Sequence, residues 1–136
     1  MRRIVFGLLL VGFSSLALAA QQKWIGSVEA WVALTQMKAT TFGSQIAAGD
    51  MAGADASAAE AMTNLENEVK QHLAEAKGHP EVAADIKAFY LAATTYFRDA
   101  IPDGATPEAR AKATGQRLKQ DLDAKARALR LDLGSL

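Results

Sequence analysis

His72 and His79, seven positions apart in "QHLAEAKGHP", are the strongest candidate ligands in a chain without cysteine. An imidazole can hold a transition metal, ligate haem or carry a proton. Seven residues of unbroken helix would separate the two rings by about 10 Å, too far for one ion. Gly78 and Pro80 also break the helix between them. Glu68 lies four residues before His72 and Glu75 three after it, so His72, Glu68 and Glu75 share a helix face and form the candidate metal set. A set confined to one helix surface binds zinc or copper loosely. Dinuclear carboxylate sites in bundles need Glu-x-x-His on two helices, and this chain has no Glu-x-x-His. Haem would need a second His or Met across the core from His72, and Met37, Met51 and Met62 fall at other levels. The expectation is therefore no metal and no cofactor. His72 becomes a structural residue beside a buried stripe, and His79 an N-cap.

Catalytic signals are few. The chain has no nucleophile elbow, no phosphate-cradling glycine loop and no metalloprotease motif. Glu66 and Glu68, two apart on a helix, face different ways and make no acid–base pair. The sequence predicts a protein that is not an enzyme.

Aromatic residues mark the remaining surfaces. Phe89 to Phe97, "FYLAATTYF", places Phe89, Ala93 and Tyr96 in one line, widened by Tyr90 and Phe97. Such a width reads as core; its functional alternative is a pocket or groove lined by Tyr90, Tyr96 and Phe97. Trp24 and Trp31, seven apart, flank the buried stripe of the first helix. They either cover the edge of the core or anchor a partner, together with Leu34 and Met37 if those are exposed.

These residues must be positioned by helices. Lys23 to Ala48 carries Ile25, Val28, Val32, Thr35, Ala39, Phe42 and Ile46 in steps of three and four. Gly49 and Gly53 then supply positions tolerant of positive φ. "SAAE" predicts a second helix from Ser57 to Lys77, with Ser57 and Glu60 as a capping box and Gly78 as the C-cap residue. Its expected stripe is Ala58, Met62, Leu65, Val69, Leu73 and Ala76. A third helix runs from Pro80 to Ile101, closed by "IPDG". Thr106 caps a fourth, from Pro107 to Leu133, which buries Ala111, Leu118, Leu122, Ala126, Leu129 and Leu133. Similar lengths and short loops predict an all-α, antiparallel, up-down-up-down four-helix bundle. The rival is a three-helix domain with the first helix packed elsewhere or dimerised. The layer map puts Phe42 level with Met62 and Tyr96. It puts Val32 or Ala33 level with His72, Ile86 and Leu122.

The opening residues, "MRRIVFGLLLVGFSSLALAA", follow the pattern of a secretory signal peptide. Arg2 and Arg3 precede an apolar run from Ile4 to Val11, and Ala17-Leu18-Ala19 supplies small residues for cleavage after Ala19 or Ala20. Gly12, Ser14 and Ser15 weaken a spanning reading, and the rest of the chain has no run of about 20 apolar residues. The Arg pair also raises the twin-arginine route. Export to a bacterial periplasm or beyond is expected, and without cysteine no disulfide holds the fold. Cleavage would leave 13 Lys plus Arg against 15 Asp plus Glu, a net charge of −2. That charge disfavours nucleic acid.

The sequence thus predicts a single exported domain, residues 21–136, that acts as a non-catalytic binding or interaction module. Its partner would be a protein, a small apolar ligand or a second copy of the chain as a homodimer. Two alternatives remain: a carrier of a small ligand, metal or haem in the bundle interior, and association with a membrane surface through the basic fourth helix. That helix sets Arg110, Lys112, Arg117, Lys119, Lys125, Arg127 and Arg130 against Glu108, Asp121, Asp123 and Asp132.

Overall fold

A computed structural model describes the backbone of residues 2–100 and 107–136, and side chains from 20 to 100 and from 114 to 136. Four helices follow in order: α1 (Arg2–Ala47), α2 (Met51–Glu75), α3 (Pro80–Asp99) and α4 (Pro107–Gly134). Among the described residues there is no strand, and no helix is long and apolar enough to cross a membrane. The side chains of the candidate leader, the "IPDG" turn, Thr106 and Ala111 lie outside the described residues.

α1 begins at Arg2, earlier than the expected Lys23. No proline interrupts residues 2–47, and leucine and alanine sustain a helix well. The first turn is shorter than expected. Gly49 adopts φ +76° and reverses the chain, and Asp50 caps α2 by accepting a hydrogen bond from the Gly53 amide at 3.0 Å. Residues 51–56 are therefore helical, and two expectations fail. Gly53 takes no positive φ but admits the capping carboxylate, because a Cβ there would collide with Asp50. Ser57 is interior to α2, and its Oγ donates to Gln45 Oε1 on α1 at 2.6 Å. An aspartate beside a flexible glycine wins the cap over a serine preceded by good helix formers. Replacing Asp50 with alanine should remove about 1 kcal/mol of stability, measurable as a shift of the denaturation midpoint.

At the other end, α2 stops at Glu75 with Ala76 as its C-cap. Gly78 has no positive φ, so it is not the expected left-handed cap. Pro80 opens α3 as expected. His79 occupies the N-cap position but makes no side-chain cap bond. Its ring stacks on Trp24 instead, at 5.7 Å between centroids.

The core is a column of apolar side chains. α1 contributes Val28, Val32, Ala39 and Phe42; α3 contributes Val82, Ile86, Phe89, Tyr96 and Phe97. Leu122, Ala126, Leu129 and Leu133 of α4 close it. α2 inserts a narrower edge of Ala54, Ala58, Ala61 and Leu65, which lets backbones approach. Each helix packs on its chain neighbour, most extensively α1 with α2 and α3 with α4. Contacts between α1 and α2 run in opposite chain directions: Gln45 with Ser57, Lys38 with Glu60, Trp31 with His72. Phe42 meets Tyr96 at 5.3 Å and Phe97 at 5.4 Å, edge to face, the level expected for Phe42 and Tyr96.

Tyr96 carries its hydroxyl into this layer and donates to the Ala39 carbonyl at 3.2 Å. Burial, then the charge of Asp123, push its phenol up, so it stays a neutral donor. Gly43 makes the room: a Cβ there would stand 3.0 Å from the hydroxyl.

Candidate functional site

The buried stripe of α2 turns as it descends. Ala54, Ala58, Ala61 and Leu65 are followed by His72 and Ala76, in steps of three, four and seven. Leu73, expected on the stripe, is only partly buried. A pattern repeating every seven residues drifts from one repeating every 3.6, so His72 and not Leu73 reaches the centre. Its residue exposure is 1%.

The ring is placed by two helices. Trp31 of α1 lies 4.9 Å away, tilted by 51°, and is held in turn against Phe89 at 5.1 Å. Along α2, Nε2 of His72 faces Glu68 Oε2 and Nδ1 faces Glu75 Oε1, each at 3.7 Å. Both separations exceed a hydrogen bond. Among the described residues, the buried side-chain polar atoms lacking any partner are both His72 nitrogens, Trp31 Nε1 and Glu75 Oε1. All belong to this one cluster. Native interiors rarely tolerate such atoms.

The two carboxylates address different ring nitrogens, so one ion could meet His72 and only one of them. Among the described residues no three His, Cys, Asp or Glu side chains converge as ligands.

The other residues singled out for a surface are mostly enclosed. Trp24, Trp31, Tyr96 and Phe97 are buried, so as an open surface that group is corrected: hydrophobic burial draws all four into the core. Tyr90 is half-buried against it. Leu34 and Met37 do reach solvent, Met37 with 68% of its surface exposed.

Met37 leads to a second location that sequence reasoning missed. An open groove of about 600 Å³ runs between α1 and α4, lined by Ala33, Gln36, Met37, Thr40, Lys119, Asp123, Arg127 and Arg130. A hydrogen-bonded string crosses it. Arg130 Nη2 donates to Gln36 Oε1 at 2.7 Å, Gln36 Nε2 donates to Asp123 Oδ1 at 3.1 Å, and Lys119 Nζ reaches the same carboxylate at 2.9 Å. Arg127 makes no ion pair among the described residues. The basic face of α4 signalled this surface, but its pairing with Gln36 and Met37 depends on how the two helices meet.

On the opposite side of α4, Asp132 meets Asp85 of α3. Burial, a hydrogen bond to the Asp132 carboxyl, and the charges of Asp132 and Glu81 raise Asp85 to about 6, against the pull of Lys125. The folded state therefore holds this proton more tightly than the unfolded chain. Its contribution to stability is complete below about pH 4 and is lost as pH rises through 6. Asp132→Asn should stabilise the protein at pH 7 and leave it nearly unchanged at pH 4. Solvent screening at a half-buried site holds the gain to about 1 kcal/mol; thermal melts at both pH values measure it.

No family model matches this chain, and neither does any curated protein or solved structure.

Proposed function

We propose that the protein is an exported bacterial binding module without catalytic activity, folded as an up-down-up-down antiparallel bundle, whose α1–α4 groove receives an acidic, amphipathic segment of another protein. The supporting observation is the groove itself. Lys119, Arg127 and Arg130 outnumber Asp123 there, and Arg127 lies on the same groove as the exposed Met37. A carboxylate-bearing helix could neutralise Arg127 while covering Met37 with an apolar residue, the helix-in-groove mode of recognition. An open, mostly polar trough suits a peptide better than an enclosed apolar ligand. The core, filled by Phe42, Tyr96 and Phe97 in mutual contact, argues against the interior carrier.

The export half predicts that protein recovered from its own periplasm or medium starts at Ala20 or Gln21 by intact mass. An intact leader would remove it. For the groove, a 15-residue helical peptide of Glu, Leu and Ala is titrated at low and physiological salt. Binding that weakens with salt, and at least tenfold with R127E/R130E, supports the reading. Absence of binding at low salt overturns it, as does equal binding of a Lys, Leu and Ala peptide. Phosphatidylglycerol vesicles form the remaining arm. Protein that sediments with them and ignores the acidic peptide belongs to a membrane surface instead.

A further inference from the structure

A neutral imidazole has one nitrogen that donates and one that accepts. Both nitrogens of His72 face carboxylate oxygens, and an ionised carboxylate only accepts. Whichever tautomer is present, one ring lone pair therefore confronts a carboxylate lone pair. Only the doubly protonated ring offers a donor to Glu68 and to Glu75 together. The surroundings match the imidazolium and mismatch both neutral forms.

We propose that His72 is a proton-operated clamp: the imidazolium draws Glu68 and Glu75 onto its two nitrogens and ties two turns of α2 together, and the neutral ring releases one carboxylate. The proton arrives from solvent, because Glu68 has half its side chain exposed (49%) while the ring itself is buried. Imidazole is the side chain that ordinarily changes charge between pH 5 and 8, the range an exported protein meets. On α1 the ring faces Trp31, which does not titrate. On α2 it faces Glu68 and Glu75, and among the described residues no other charged group lies within ion-pair distance of it. The acidic groups of α3, Glu81 and Asp85, act on one another and on Asp132 and Lys125 toward α4. Trp31 bridges the ring to Phe89, so the state of the clamp is felt at the seam of α1, α2 and α3. This site is independent of the α1–α4 groove.

Trp31 also reports the event, because a charged imidazolium in contact with an indole quenches its emission. Trp24 is removed first, since it stacks on the other histidine. In Trp24→Phe, emission is expected to fall about twofold from pH 8 to pH 5, with one midpoint. Adding E68Q and E75Q should move that midpoint to lower pH. Adding His72→Gln should abolish the fall. Nitrogen-detected NMR of labelled histidine should show both His72 nitrogens protonated below the midpoint. Flat emission in Trp24→Phe overturns the clamp, and so does a midpoint that E68Q/E75Q leaves unmoved. If His72→Gln fails to fold, the carboxylate pair and the NMR signal decide the matter alone.

Discussion

Phe42→Ala is expected to remove about 3–5 kcal/mol of stability, a drop in Tm on the order of 15 °C for a domain of this size. Phe42 is fully buried and stands edge to face with both Tyr96 and Phe97. Deleting its ring subtracts the transfer of a large apolar surface and leaves a void that three helices cannot easily close. Tyr96 is tethered to the Ala39 carbonyl, which limits how far its ring can follow. Chemical denaturation should show the loss in the midpoint with an unchanged slope. Met37→Ala, on the same helix but exposed, should change stability by less than about 0.5 kcal/mol. A Phe42→Ala loss of under 1 kcal/mol would mean this aromatic layer is not closed.

His72→Leu should act in the opposite direction, stabilising the fold by about 1–2 kcal/mol at pH 8. A buried polar atom without a partner costs free energy that an apolar side chain of similar shape avoids, and both His72 nitrogens are in that condition. Leucine fits the stripe between Leu65 and Ala76. The gain should shrink in acid, where the protonated ring acquires Glu68 and Glu75 as partners that leucine cannot have. Urea denaturation at pH 8 and pH 5.5 measures both parts. Destabilisation at pH 8 would show that the ring is satisfied there. Greater stability of His72→Leu at pH 8 would be consistent with a role for His72 other than stability, which is the sense of the proposed clamp.

Much of the helical framework was legible beforehand, for identifiable reasons. α3 carries a wide stripe from Val82 to Ala100 with Pro80 at its start, so its face was not ambiguous. α4 reads equally well from Leu122 to Leu133. α2 did not. Its stripe is mostly alanine, which contributes little contrast between faces, and a serine motif pointed to a start six residues beyond the actual one. The helix begins at Met51, capped by Asp50, and its core face takes in His72. The surroundings of both histidines were misjudged. His79 serves as a stacking partner for Trp24 where a cap was expected.

What the sequence alone determined is the helical content, the approximate ends of α3 and α4, and the presence of Glu68 and Glu75 within reach of His72. These are local properties, set by periodicity, by breakers and by spacings of three and four residues. Tertiary structure decided what spacing cannot encode: which helices face each other, and how far each is rotated. That rotation buried His72 under Trp31, left four polar atoms without partners among the described residues, and set Asp85 against Asp132. It also brought Gln36 and Met37 to the basic edge of α4. Rotating a helix by one residue turns its side chains by about 100°, so burial and charge pairing depend on a quantity that only packing against the other helices supplies.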